Sequence, residues 1–163
     1  MLLVFDRFQD IDIPQLMSIY RKSFDSPDRY DPSNGEADWY GSMSAEDLCE
    51  YLRDSMREQT LLCAVWAPEG LYKSVLRLER YLDGYLVTGL ETAMQERGHG
   101  HAKALLRAVI TEFTGESIYS HIDFSNVISI HVHIQCGFEQ ILDYAKFIDG
   151  SISRQAGTFH INA

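Results

Sequence analysis

The stretch from residue 85 to 113 constrains the fold most. YLVTGLETA (85–93) has the β-branched and apolar content of a strand, and QERGHGHAK (95–103) is rich in glycine. In the run that follows, Ala104, Leu105, Ala108, Val109 and Phe113 recur at helical spacing. A strand that passes through a glycine turn straight into an amphipathic helix must bury that helix's apolar stripe against a sheet. Upstream, TLLCAVW (60–66) and LYKSVLRLERY (71–81) read as two further strands, with an APEG turn between them and Asp83-Gly84 leading into the third. The three are expected to form an antiparallel meander.

The flanking elements follow from the same rules. Leu2–Phe5 is a short strand, and Asp10 and Asp12 are candidate helix caps before Pro14. Ile13, Leu16, Met17, Tyr20 and Phe24 then make one apolar stripe, so a helix is expected to about Phe24. Residues 25–43 are rich in Asp, Ser, Pro and Gly but carry Tyr30, Trp39 and Tyr40, the pattern of a long loop that binds something. Ser44 and Asp47 form a capping-box signature for a second helix to about Glu58. SIYSHID (117–123) is a buried strand. SNVISIHVHIQCGF reads as a short helix from Ser125 or Asn126 stopped by Gly137, although IHVHI alternates like a strand. Phe138–Ile148, a DGS turn and GTFHIN close the chain as a last hairpin. No repeat or linker divides residues 1–163, so a single domain is expected.

Composition narrows the function classes. With 45% hydrophobic and 23% charged residues the chain is globular in character. A formal charge of −10 opposes a phosphate backbone, which disfavours nucleic acid as a partner and suits a cationic one. No apolar run is long enough to cross a membrane, and MLLVFDRFQD lacks the features of a signal peptide. Cys49, Cys63 and Cys136 show no C-x-x-C spacing, which points to free thiols and a cytoplasmic location. His99, His101, His121, His131, His133 and Cys136 have no recognised ligand spacing, so no metal site is expected. Without a G-x-S-x-G elbow a serine hydrolase is set aside, and neither a Walker loop nor a Rossmann fingerprint is present.

The segment Arg97-Gly98-His99-Gly100-His101-Ala102-Lys103 opens a helix, where successive backbone N–H groups and the helix dipole favour an anion such as a diphosphate. Arg97, Gly100 and Ala102 stand as [RQ]-x-x-G-x-[GA], and Asn126, Ser129, Gly137 and Phe138 stand as N-x-x-[AS] followed by G-F. In these two motifs and in element order, the chain resembles the GNAT superfamily of acyl-CoA N-acyltransferases. The resemblance implies an α+β fold, a mixed but mostly antiparallel central sheet flanked by helices. It implies acetyl-CoA as cosubstrate, with the pantetheine arm along Leu90, Thr92 and Met94. The diphosphate would lie on Arg97, Gly98, His99, Gly100, His101 and Ala102, and the Asn126 amide would hold the arm. Met94 replaces the family's usual proline.

The resemblance further implies direct attack of an amine on the thioester in a ternary complex. A protonated amine is not a nucleophile, so a carboxylate or a water it orders must take a proton. Glu91 is the candidate, with Glu79 as a second, the latter expected to form a salt bridge with Arg77. The leaving thiolate needs a donor, commonly a tyrosine seven residues after the asparagine. That position is His133, expected to act as the acid. The alternatives are a non-catalytic acyl-CoA-binding sensor or assembly module on the same fold, and a protein binding some other diphosphate. Acceptor recognition is expected in the first helix, the final hairpin and the acidic loop with Asp28, Asp31, Glu36 and Asp38, for a small-molecule or peptide amine. The last hairpin offers an edge for a homodimer.

Overall fold

The computed structural model describes the backbone of residues 1–25 and 44–163, with side chains for residues 1–20 and 44–163. The expected acidic, aromatic loop lies outside these residues. Strand β1 (Leu2–Phe5) leads through a 3-10 turn at Phe8–Asp10 to helix α1 (Ile13–Asp25). Asp12 caps α1, its Oδ1 accepting from the Gln15 N–H at 3.1 Å, whereas Asp10 is paired with Arg7. Helix α2 (Ala45–Arg57) starts with the complete Ser44–Asp47 capping box.

Strands β2 (Leu61–Trp66), β3 (Ser74–Tyr81) and β4 (Gly84–Thr92) form the expected antiparallel meander. Strand β3 starts at Ser74 because residues 68–70 form a 3-10 turn in which Glu69 and Gly70 adopt positive φ. Helix α3 (His101–Glu112) crosses over to β5 (Ser117–Asp123), which pairs parallel to β4. Helix α4 (Val127–Gln135) follows, so the alternating IHVHI is helical, with Asn126 capping its start and Gly137 at φ +98° ending it.

The tail is more elaborate than one hairpin. Strand β6 (Glu139–Leu142) pairs with β9 (Ala156–Asn162), and a small hairpin of β7 (Ala145–Lys146) and β8 (Ile152–Ser153) lies between them in sequence. Strand β9 inserts between β5 and β6, giving the order β1-β2-β3-β4-β5-β9-β6 in a seven-stranded sheet.

Two apolar clusters cover the sheet. Leu16, Ile19 and Tyr20 of α1 and Leu48, Leu52 and Met56 of α2 pack with Leu61, Cys63, Val65 and Val75 on one face. Leu105, Leu106 and Val109 of α3 pack with Leu76, Leu78, Val87 and Ile118 on the other. Alternation along β3 sorts its residues between these layers, and Val75, Arg77 and Glu79 share the α1–α2 face. Among the described residues no helix is long and apolar enough to cross a membrane.

Candidate functional site

The site begins where β4 leaves its parallel neighbour. Pairing with β5 covers only Gly84–Val87 against Ser117–Ser120. Beyond Val87, β4 stays registered with β3, Thr88 opposite Arg77, Glu91 opposite Val75 and Thr92 opposite Ser74, with a register shift between Val75 and Arg77. Gly89, at φ +58°, supplies the extra residue of this bulge, a left-handed conformation that glycine adopts without steric cost. Residues 88–92 therefore turn a backbone edge without a β5 partner toward the side where β5 runs into α4. Leu90 leans into the α3 cluster, whereas Glu91, opposite Val75, lies on the α1–α2 face.

The edge ends at the glycine loop. Met94 opens a 3-10 turn, Met94–Glu96, that closes at Arg97. Gly98 and Gly100 both have φ +80°, and no heavy atom lies within 4 Å of where a Cβ would stand on either. Gly100 is the N-cap of α3 and brings no side chain to the first-turn amides. Open space above both glycines and an uncapped helix start fit a diphosphate cradled by main-chain N–H groups.

Two ionic links tie the loop to the sheet. Lys73 Nζ donates to Glu96 Oε1 at 2.5 Å, and His101 Nε2 lies 3.4 Å from Glu96 Oε2. The Lys73 hydrogen bond holds the Glu96 carboxyl below the usual carboxylate range. The second link joins two of the expected site residues. Arg97 Nη2 is paired with Glu91 Oε1, while Arg97 Nε donates to the Thr92 carbonyl at 3.3 Å. The rings of His99 and His101 stack with centroids 6.2 Å apart.

On the other side of the gap, Asn126 Oδ1 accepts from the Ser129 N–H at 3.1 Å, an ordinary helix cap. That bond occupies the oxygen and leaves the amide nitrogen pointing to no partner among the described residues. His133 lies one turn beyond Ser129, 1% exposed, with its ring edge-to-face on Phe138 at 5.0 Å. Its Nδ1 is 2.8 Å from the Ser129 carbonyl. A carbonyl only accepts, so Nδ1 carries the hydrogen and the neutral ring presents a lone pair at Nε2. Nε2 is buried without a partner, and burial lowers the pKa. The imidazole N–H is thus committed to Ser129.

Glu79 and Arg77 are not directly paired. Thr88 stands between them, its hydroxyl donating to Glu79 Oε1 at 2.6 Å and lying 3.5 Å from Arg77 Nε. The expected salt bridge gives way to this hydroxyl relay because Thr88 is the cross-strand partner of Arg77 on the same face. Thr88 and Lys73 were not singled out in the sequence, whereas Ser129 was, as part of the motif that starts at Asn126. Only the Ser129 interaction had a local signal, its place three residues after a helix cap. Among the described residues no cluster of three or more His, Cys, Asp or Glu side chains is gathered as for a metal.

No protein-family model and no curated protein matches the sequence. Solved structures do match. The PaiA N-acetyltransferase from Thermoplasma acidophilum in complex with coenzyme A is similar with a TM-score of 0.64 at 12% identity, over 100% of this chain and 99% of that one. The ribosomal-protein-alanine N-acetyltransferase from Brucella melitensis is similar with a TM-score of 0.66 at 18% identity, over 100% and 99%. The spermidine N-acetyltransferase from Vibrio cholerae in complex with CoA and spermine is similar with a TM-score of 0.64 at 15% identity, over 99% and 94%. A GNAT-family acetyltransferase from Bacillus anthracis matches likewise, with a TM-score of 0.65 at 16% identity over 99% and 94%. At these identities the likeness is one of architecture, and the chain has the fold of the GNAT N-acetyltransferases.

Proposed function

We propose that this protein is an acetyl-CoA-dependent N-acetyltransferase acting on a primary amine by direct attack in a ternary complex. The observation that carries the reading is the early end of β4–β5 pairing at Val87 and Ser120, which leaves the 88–92 edge leading to the uncapped glycine start of α3. The solved complexes with coenzyme A, one of them also with spermine, support the reading by their fold.

In this reading the amides of residues 98–102 bind the diphosphate, and the backbone of Leu90, Thr92 and Met94 orients the arm. The Asn126 amide nitrogen reaches the arm from the other side. The cosubstrate supplies a thioester whose carbonyl accepts the amine. Glu91, 14% exposed at its side chain, lies on the α1–α2 face, where it orients the acceptor's ammonium and takes up a proton directly or through water. His133 holds the acid's place. Because its Nδ1–H is given to Ser129, it delivers a proton only from Nε2, after loading one there.

That last point favours a second reading, a CoA-binding module with little turnover, since the sealed Nε2 and the pKa lowered by burial leave few imidazolium rings to donate. Calorimetry with coenzyme A and a thiol-release assay over a panel of amines separate the two. Binding with turnover supports the enzyme, and binding without turnover on any amine supports the module. Absence of coenzyme A binding overturns both. Three free cysteines agree with action in the cytoplasm.

A further inference from the structure

The proposed base and the proposed phosphate-loop arginine are bonded to each other. Arg97 Nη2 holds Glu91 Oε1 while Arg97 Nε holds the Thr92 carbonyl. Exposure of the two side chains is unequal, 48% for Arg97 and 14% for Glu91. The guanidinium is therefore the accessible member of the pair and the carboxylate the sheltered one. Arg97 directly precedes Gly98, where the open anion cradle begins. Glu96, the neighbouring carboxylate, is taken by Lys73 and His101, so it does not replace Glu91 as a partner for Arg97.

We propose that Arg97 is handed from Glu91 to the diphosphate when coenzyme A binds, so that the cofactor itself uncovers the Glu91 carboxylate. This rests on the reading that the loop binds coenzyme A. A guanidinium presents a planar fork that suits phosphate oxygens as well as a carboxylate, and a diphosphate brings the greater charge. Once Arg97 moves, Glu91 is a sheltered carboxylate without its cation, a costly state that an acceptor's ammonium relieves. Cofactor and cationic amine are thereby coupled, and by linkage each raises the affinity of the other by the same factor. Glu91 is kept from binding amines while the cofactor site is empty.

Competition for Arg97 has a signature in binding alone. Coenzyme A titrations by calorimetry compare the full-length chain with Glu91→Gln, Arg97→Gln and the double variant. Glu91→Gln is expected to tighten coenzyme A by threefold or more, because Arg97 no longer has to leave a carboxylate, and Arg97→Gln to weaken it. In the Arg97→Gln background the gain from Glu91→Gln should shrink below twofold. An equal gain in both backgrounds would mean simple removal of negative charge near a polyanion, and an unchanged or weaker affinity in Glu91→Gln would mean no competition. Either overturns the hand-off while leaving coenzyme A binding intact, whereas no binding by the wild type removes the underlying reading as well. A crystal structure of the wild-type complex reads the same event without substitutions. Arg97 should lie within hydrogen-bond distance of a diphosphate oxygen and away from Glu91, and retention of the Glu91 pair overturns the proposal.

Discussion

A Cβ built on Gly89 would stand 2.1 Å from Arg77 Nη2 and 2.6 Å from its Cζ, so the buried guanidinium of β3 and the bare backbone of the β4 bulge interlock. Arg77 is 1% exposed, and its guanidinium also lies 5.9 Å from the Tyr51 ring centroid. The Tyr20 hydroxyl donates to the Gly89 carbonyl at 3.3 Å, which ties the bulge to α1. The bulge that separates the end of β4 from β5 is thus held by both β3 and α1.

Gly89→Ala should destabilise the protein by about 3 kcal/mol, since a left-handed φ costs about 1–2 kcal/mol and a packed-in methyl about 1–3 kcal/mol. Urea unfolding measures this directly. A midpoint equal to that of the wild type would mean that the bulge has room for a side chain.

Gly98→Ala and Gly100→Ala should behave differently. Their positions are open, so only the strain of φ +80° opposes alanine, and a cost of about 1–2 kcal/mol is expected. If the loop cradles the diphosphate as proposed, coenzyme A affinity should nonetheless fall by tenfold or more, because the methyl would occupy the open space above the backbone. Calorimetry beside thermal melts separates the two effects, and undiminished affinity in both variants would exclude the loop as the anion site.

If His133 delivers the proton to the leaving thiolate, His133→Phe should lower kcat by about 100-fold, the lower end of general acid–base effects. Coenzyme A affinity should stay within twofold, because the ring stays packed on Phe138. Equal turnover in the variant assigns His133 to the core.

Acid should weaken the fold through His121. Its ring packs edge-on against Tyr81 and Phe147, both nitrogens are buried without partners, and burial pushes its pKa from 6.5 down to about 4. The folded-state value lies below the unfolded one, so the unfolded chain takes the proton first. Stability is full above pH 6.5 and falls as the pH drops toward 4, with a slope of at most about 1.4 kcal/mol per pH unit from this ring. His133, also shifted down by burial, adds in the same direction. His121→Phe, an aromatic ring without nitrogens to satisfy, should flatten the pH dependence of the unfolding free energy. An unaltered slope would place the titrating group elsewhere.

Local signals were legible in the chain. The Ser44–Asp47 box, the Asn126 cap, the Gly137 stop and the glycines at 98 and 100 each act within a few residues, and each stands in the structure where its spacing places it. The meander was legible because short turns leave a strand no neighbour but the next one. Strand β9 was not, since nothing in GTFHIN says that it parts β5 from β6. Nor was the choice between Asp10 and Asp12 as the α1 cap, which the 3-10 turn at Phe8–Asp10 decides.

The same division runs through the site. Residue order alone determined that a strand, a glycine turn and a helix meet at residues 97–101, because backbone freedom and helix ends are properties of neighbours in sequence. That Glu91 is held by Arg97, that Arg77 fills the space beside Gly89, and that His133 spends its hydrogen on Ser129 inside the core were decided only by tertiary structure. Side-chain partnership depends on cross-strand register and burial, which arise when distant segments pack and are encoded in no single stretch of the chain.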